Sequence, residues 1–133
     1  MKLLIGLFSA AFLVLLSPHT HAESTTPARQ LETFIQLSGI QPKVSAGRDF
    51  FTANHGRDFS CSSCHTTDPT ATGKHAKTGR SIQPMAPKEN PERFTDAAKT
   101  EKWFHINCGE VLGRECTPEE KSDVLSWLLS IKK

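Results

Sequence analysis

The sequence of 133 residues contains no tyrosine, two tryptophans and four cysteines, and only 37% of its residues are hydrophobic. The formal net charge of +2 excludes a protein that binds nucleic acid by bulk electrostatics, because such a protein carries a marked basic excess. Eight phenylalanines in a nearly neutral chain argue against disorder. The length fits one domain with a modest apolar supply, and such small domains often depend on disulfides, a metal or a cofactor.

Only the N-terminus carries a long apolar run. Met1-Lys2 is a short basic start, Leu3 to Leu16 is uncharged and apolar, and Thr20-His21-Ala22 offers small residues for cleavage. This pattern is typical of a secretory signal peptide, and the run is shorter than the ~20 residues that a bilayer requires. We therefore expect residues 1–22 to be cleaved and residues 23–133 to form one exported, periplasmic domain that is not inserted in the membrane. An uncleaved N-terminal anchor is the alternative.

Export changes how the cysteines are interpreted, because an oxidising compartment pairs cysteines unless another partner captures them. Two of them lie in the pentapeptide Cys61-Ser62-Ser63-Cys64-His65. A thioredoxin-like dithiol would need neighbouring strands, and no alternating apolar run lies near it. A zinc site would need a second closely spaced pair, and the spacing from Cys108 to Cys116 is too wide. The motif and the compartment together favour the third interpretation, which is covalent haem attachment.

The spacing of this motif has a geometric reason. Residues i and i+3 of a helical turn lie on the same side, so both thiols would face one edge of a porphyrin. The residue at i+4 would project toward the ring centre, where His65 could bind the iron as the proximal ligand. We therefore predict one covalent haem c on Cys61 and Cys64. Such a haem would also supply the apolar core that the composition lacks.

The rest of the chain is predicted to form helices and loops, with no convincing strand. Thr26-Pro27 predicts the start of a first helix that ends at Gly39, and Ser45 is expected to cap a second. Residues 66–91 form a polar stretch, interrupted by proline and glycine, that is too long for an ordinary connection. Because this stretch follows His65 directly, we interpret it as an Ω-type loop that wraps one edge of the haem.

Two further helices are predicted after that loop. The first runs from Asn90-Pro91 or Thr95 to Cys108, with Gly109 at its end. The second begins at Thr117-Pro118-Glu119-Glu120, which is a capping box with proline at the first helical position. The apolar residues after this box recur at the spacing of a buried helical stripe: Val124, Trp127, Leu128 and Ile131. The predicted fold class is therefore all-α.

Three segments of the second half carry a family resemblance. They are Phe94-Thr95-Asp96, Glu101-Lys102-Trp103-Phe104, and Asn107-Cys108 followed by Gly113-Arg114-Glu115-Cys116-Thr117. Together with the haem motif they resemble the SHP family, small high-spin relatives of the class I cytochromes c. The resemblance extends over residues 44–131 and implies a class I cytochrome c-like helical domain around one haem. The chain departs from the class I pattern because no methionine lies at a sequence distance suited to the far side of the haem.

The sixth, distal iron ligand decides the chemistry, and the resemblance implies Asn107, since asparagine is the axial ligand at the matching position of the SHP family. This residue lies 42 positions past His65. An amide oxygen is a hard, weak donor that can hold ferric iron and release the softer ferrous ion. Met85, only 20 positions past His65, is the main rival. His75 and His105 are further alternatives, because histidine is a common metal ligand.

The two remaining cysteines, Cys108 and Cys116, are not needed for haem attachment. An oxidising compartment predicts a disulfide between them, and two buried thiols are the alternative. The bridge would begin one residue after Asn107. It could therefore fix the backbone that carries this ligand while the side chain swings.

Two classes of function stay open at this point. The first is periplasmic electron transfer, for which the SHP resemblance implies redox partners such as a diheme cytochrome c or a membrane b-type cytochrome. The second is a haem site that binds or turns over oxygen, nitric oxide or carbon monoxide, as a sensor or a redox enzyme. Release of Asn107 on reduction would make such ligand binding possible. No acid–base pair marks the distal side, so we assign no catalytic residue and leave enzymatic turnover open.

Overall fold

The computed structural model describes residues 24–132, and this part of the chain contains five α-helices and one short β-hairpin. The helices are α1 (Pro27–Ser38), α2 (Val44–Thr52), α3 (Cys61–His65), α4 (Ala97–Leu112) and α5 (Pro118–Ser130), and the hairpin pairs β1 (Gly73–Lys74) with β2 (Ser81–Ile82). The all-α prediction is confirmed, although the hairpin was not expected. No helix of the described chain is long and apolar enough to cross a bilayer. The predicted signal peptide lies outside the described residues.

The first and last helices begin as their capping signals predict. Thr26 accepts a hydrogen bond from the backbone N–H of Arg29 at 3.2 Å, and Gly39 ends α1 in the left-handed conformation at φ 68°. At the start of α5, Thr117 accepts from the N–H of Glu120 at 3.2 Å, and the Glu120 carboxylate accepts from the N–H of Thr117 at 2.8 Å. Both caps satisfy backbone groups that a helix end leaves without partners.

The start of α2 differs from the prediction. The helix begins at Val44 with Lys43 as its N-cap residue, so the expectation that Ser45 caps it is wrong. The reason lies outside the helix, because the carboxylate of Asp123 on α5 accepts a hydrogen bond from the N–H of Lys43 at 2.7 Å. A tertiary partner therefore takes the place of a local capping side chain.

The bounds of α4 also differ from the prediction. The carboxylate of Asp96 accepts from the N–H of Lys99 at 2.8 Å, so the helix begins at the residue after Asp96. Gly109 does not end it, and the helix continues for a further turn to Gly113, which adopts φ 75°. A glycine inside a helix costs only about 1 kcal/mol relative to alanine. The extra turn buries Val111, and this burial opposes that cost.

The core lies where α2 crosses α5. Phe51 packs against Val124, Trp127 and Leu128, and the rings of Phe51 and Trp127 are 5.1 Å apart. The two backbones touch at Gly47, where an added Cβ would lie 1.9 Å from the carbonyl oxygen of Asp123. This close approach fixes α2 on α5 and thereby sets the direction of Phe51, whose ring centre lies 6.1 Å from that of His65.

The polar stretch of residues 66–91 after α3 folds back so that its later part contacts its beginning. The carbonyl oxygen of Pro69 accepts hydrogen bonds from the N–H groups of Met85 and Ala86, both at 2.9 Å. At Gly73 an added Cβ would lie 2.1 Å from the carbonyl oxygen of Cys64, so the hairpin lies directly on the cysteine motif. These contacts close the stretch as a compact loop whose two ends are near each other.

Candidate functional site

The cysteine motif forms a helix of a single turn, α3, that is held at both ends. Ser60 caps its start, and the side chains of Ser60 and Ser63 bond each other's backbone N–H at 3.2 and 3.0 Å. Thr66 ends the helix at φ 61° and ψ 165°, a conformation that residues other than glycine rarely adopt. Because both ends are fixed, the two cysteines and the histidine occupy one short, well-defined turn, as their spacing predicts.

This turn lines a cavity of about 650 Å³. Cofactor and ligand sites usually have volumes of roughly 300–1,000 Å³, with mostly apolar walls and a few polar groups. The walls here are largely aromatic and aliphatic, and the residues of that type are Phe50, Phe51, Phe59, Ile82, Met85, Phe94, Trp103, Phe104, Ile106, Val111 and Val124. Cys61, Cys64, His65 and Asn107 line the same cavity. The fold thus brings the predicted haem motif and the predicted distal ligand to one apolar space.

His65 presents an uncharged ring to this cavity. Burial first, and the charges of Arg93 and His75 after it, together lower the pKa of His65 to about 4. Its Nδ1 atom is buried and has no hydrogen-bond partner among residues 24–132. A neutral imidazole is the form that binds a metal. The unsatisfied buried atom also marks this ring as one whose surroundings protein atoms alone do not complete.

The two cysteines of the motif are not bonded to each other. Burial raises the pKa of the Cys61 thiol to about 11, so this sulfur stays protonated and uncharged at neutral pH. The sulfur of Cys64 accepts a hydrogen bond from the backbone N–H of Ala76 at 3.3 Å. A metal that is bound by cysteine sulfur needs thiolates, and thiolates form in electropositive surroundings rather than in an apolar environment. The environment of Cys61 therefore disfavours the zinc interpretation of the motif.

Asn107 lies on α4, half-buried, and its side chain makes no hydrogen bond to any described residue. Its neighbour Cys108 forms a disulfide with Cys116, and the two Cα atoms are 5.6 Å apart. The predicted disulfide is thus present, and both of its cysteines are buried. An amide without a partner therefore projects from a backbone that the bridge holds in place.

The three alternative ligands have different surroundings. Met85 lines the cavity but packs against the core cluster around Phe51. His75 also lines the cavity, and its Nδ1 accepts from two backbone N–H groups of the hairpin turn at 3.3 Å. His105 is exposed, forms an ion pair with Glu115 and does not line the cavity.

Sequence analysis missed a polar clamp beside the cavity. The buried side chain of Gln30 donates to the carbonyl of Phe94 at 2.6 Å and to the hydroxyl of Thr100 at 3.1 Å. Phe94 adopts φ 61°, which is strained for a bulky side chain. Its neighbour Arg93 lines the cavity as well. No local pattern marks these residues, because Gln30 is 64 positions from its partner Phe94.

Comparisons with known proteins agree with this geometry. A family model described as a domain of unknown function (DUF1924) matches residues 38–128. The cytochrome c-type protein SHP of Cereibacter sphaeroides is 41% identical over 111 residues, which are 80% of this chain and 85% of the relative. Cytochrome c'' of Methylophilus methylotrophus is 34% identical over 134 residues, which are 93% of each chain. The chain belongs to the family of SHP and cytochrome c''.

Solved structures of this family share the fold. Oxidised SHP, described as an oxygen-binding cytochrome c, matches with a TM-score of 0.77 at 39% identity and covers 82% of this chain and 100% of its own. The solution structure of cytochrome c'', which addresses haem-ligand detachment, matches with a TM-score of 0.69 at 32% identity and covers 80% and 94%. The SHP resemblance read from the sequence and the class I cytochrome c-like fold are both confirmed.

Membership of the SHP family makes this chain a haem protein of the cytochrome c type, and the residues at the cavity fit that cofactor. The histidine is neutral and its buried Nδ1 has no partner among the described residues, the thiol of Cys61 is uncharged, and the walls are largely apolar. The volume of the cavity lies in the range of known cofactor sites.

Proposed function

We propose that this protein is an exported, periplasmic cytochrome c with one haem, attached covalently through Cys61 and Cys64, with His65 as the proximal ligand. Residues 1–22 would be the signal peptide and residues 23–133 the working domain. The observation that carries the proposal is the neutral ring of His65, which shares one apolar cavity with both thiols. A haem bound there supplies one-electron redox chemistry and, where a coordination position is open, affinity for small diatomic ligands.

We further propose that Asn107 is the distal ligand of the ferric state and that its side chain withdraws on reduction. The free amide, the cavity that it shares with His65, and the adjoining disulfide support this role. An amide oxygen prefers the harder ferric ion, so one added electron weakens its hold. The same behaviour would agree with oxygen binding by SHP and with haem-ligand detachment in cytochrome c''.

The resulting function is electron transfer by a haem site that also binds oxygen, nitric oxide or carbon monoxide when reduced. Trp103 and Ile106 line the cavity and are themselves exposed, with 47% and 38% of their surface accessible. They offer an apolar edge at which a redox partner could approach. The partners implied by the family resemblance are a diheme cytochrome c or a membrane b-type cytochrome.

The first experiment tests attachment of the haem. Mass spectrometry of the periplasmic protein should show a chain that begins at Glu23 and carries the added mass of one haem. Variants Cys61→Ala and Cys64→Ala should each lose one thioether bond, while the exposed Ser63→Ala control keeps both. Haem that acidified acetone extracts from the wild-type protein would contradict covalent attachment.

The second experiment tests the distal ligand. Asn107→Ala should change the absorption and resonance Raman spectra of the ferric protein, because the iron loses the sixth ligand, which the protein supplies. Met85→Ala is the matched control, since Met85 lines the same cavity, and it should leave the ferric spectra unchanged. If Met85→Ala changed the spectra and Asn107→Ala did not, the protein would be a methionine-ligated electron carrier.

A further inference from the structure

The side chain of Arg93 is a cation without an acidic partner at the wall of the cavity. Its Nε donates to the carbonyl of Pro84 at 2.9 Å and its Nη2 to the carbonyl of Gln83 at 2.6 Å. No carboxylate of the described chain lies within ion-pair distance of it. The guanidinium is half-buried, and burial lowers the pKa of Arg93. Two backbone carbonyls therefore hold a charged group that still has unused N–H donors.

The acidic residues of the cavity wall do not neutralise this charge. Asp96 accepts from the N–H of Lys99 as the cap of α4, and Glu110 pairs with Lys77 at 2.9 Å. Glu92 precedes Arg93 in the chain and lines the cavity, but it forms no ion pair with it. A partly buried charge is costly unless an opposite charge or a set of hydrogen bonds compensates it. An anion that pairs with the unused donors of Arg93 would then come from outside the described part of the polypeptide.

The chemistry of a guanidinium narrows the choice of anion. Its planar fork matches a carboxylate with two parallel hydrogen bonds, and such pairs are stronger than neutral ones. The charge of Arg93 acts on His65, so the cation lies in the electrostatic neighbourhood of the proposed iron ligand. A carboxylate that enters this cavity together with an apolar body would satisfy both the fork and the aromatic walls.

We propose that Arg93 is the binding residue for a carboxylate of the haem, which it pairs with while the carbonyls of Gln83 and Pro84 hold the guanidinium in place. This inference rests on the proposed function, because it takes the haem to be the occupant of the cavity. Arg93 would then act as a positioning residue. It would connect the haem to the loop segment that precedes Met85, and its positive charge would favour the reduced state.

The test uses the haem-loaded protein and three variants. Arg93→Gln removes the charge, Arg93→Lys keeps the charge but loses the fork, and Arg29→Gln is the control. Arg29 is exposed on α1, does not line the cavity, and its side chain makes no hydrogen bond to a described residue. Haem content, thermal unfolding, reduction potential and the resonance Raman bending band of the haem carboxylates are measured for each. Haem content of the wild-type protein tests the proposed function separately, before any variant is compared.

The expected results separate charge from geometry. Arg93→Gln should shift the carboxylate band and lower the reduction potential, because a positive charge beside the haem is lost. Arg93→Lys should restore the potential but leave the band shifted, and Arg29→Gln should match the wild type in both. A wild-type protein with one covalent haem whose band and potential are unchanged in both Arg93 variants would overturn the inference. The lysine variant keeps the test decisive if the glutamine variant fails to fold.

A free anion is the other source of the same chemistry. If the site takes a free carboxylate, adding acetate should raise the melting temperature of the wild-type protein in a saturable way and have no such effect on Arg93→Gln. That result would overturn the assignment to the haem. Melting temperatures that do not depend on acetate in either protein, together with a shifted Raman band, would support it.

Discussion

Replacing Gly47 by alanine places a methyl group where the backbones of α2 and α5 touch. The new Cβ would lie 1.9 Å from the carbonyl oxygen of Asp123 and 2.9 Å from the N–H nitrogen of Val124. Both neighbours are backbone atoms, so no side chain can rotate away. Because ordinary Cβ contacts begin at 3.4 Å, the two helices would have to separate locally by about 1.5 Å.

The separation should lower the free energy of unfolding, because the core residue Phe51 lies on α2. Overpacking a core costs typically 1–3 kcal/mol, whereas the better helix propensity of alanine returns at most about 1 kcal/mol. Phe51 would move with α2, and it packs on Trp127 at 5.1 Å and faces the His65 ring at 6.1 Å. We therefore expect Gly47→Ala to lower the free energy of unfolding by about 2 kcal/mol or more. It should also alter the ferric haem spectrum.

Gly109 provides the matched control, because it also lies inside a helix but an added Cβ there meets nothing within 4 Å. Gly109→Ala should stabilise the protein by roughly 0.5–1 kcal/mol. Guanidinium unfolding of the haem-loaded proteins, followed by far-ultraviolet circular dichroism, measures both changes. A Gly47→Ala protein as stable as the wild type would refute the close packing of α2 on α5.

Three further predictions concern stability. Gln30→Leu should lower the unfolding free energy by about 1–3 kcal/mol, since it removes the hydrogen bonds to the part-buried carbonyl of Phe94 and the buried hydroxyl of Thr100, whereas the exposed Gln36→Leu should change it little in the same guanidinium titration. The hydrogen bond from Arg114 lowers the pKa of Glu120, so this pair stabilises the fold at pH values above the ordinary carboxyl pKa, and the stabilisation is lost as the pH falls through the lowered pKa. The unfolding midpoint should therefore fall less steeply between pH 7 and 3 for Glu120→Gln than for the wild type. Reducing the Cys108–Cys116 disulfide should cost about 2–3 kcal/mol and change the ferric spectrum, and thiol labelling of the unfolded, oxidised protein should find neither cysteine free.

Local signals in the sequence predicted the parts of the fold that local chemistry determines. The turn from Cys61 to His65 follows from its spacing, and α5 begins at the Thr117 box because both capping partners lie within four residues. The predicted helix ends were wrong where contacts with distant residues determine where the helix begins or ends. Asp123 caps α2 from another helix, so no cap could be read near Ser45. Gly109 looked like a helix end because the buried turn beyond it depends on tertiary packing.

In the candidate site, too, local residues could be predicted from the sequence and residues defined by distant contacts could not. Cys61, Cys64 and His65, the proposed proximal ligand, form a motif within five residues, whereas Asn107 could be selected only through the family resemblance. Neither Arg93 nor Gln30 carries a local signature. Their roles come from contacts with backbone carbonyls that fold onto them, and such contacts appear only once the chain is in three dimensions.

Asn107 is proposed to hold only the ferric iron, so the coordination of the iron after reduction tests this role. Absorption and resonance Raman spectra of the dithionite-reduced protein are recorded with and without carbon monoxide. We expect a high-spin ferrous haem whose spectrum changes when carbon monoxide is added. A six-coordinate, low-spin ferrous haem that does not respond to carbon monoxide would contradict it, since a ligand such as Met85 or His75 would then stay bound in both oxidation states.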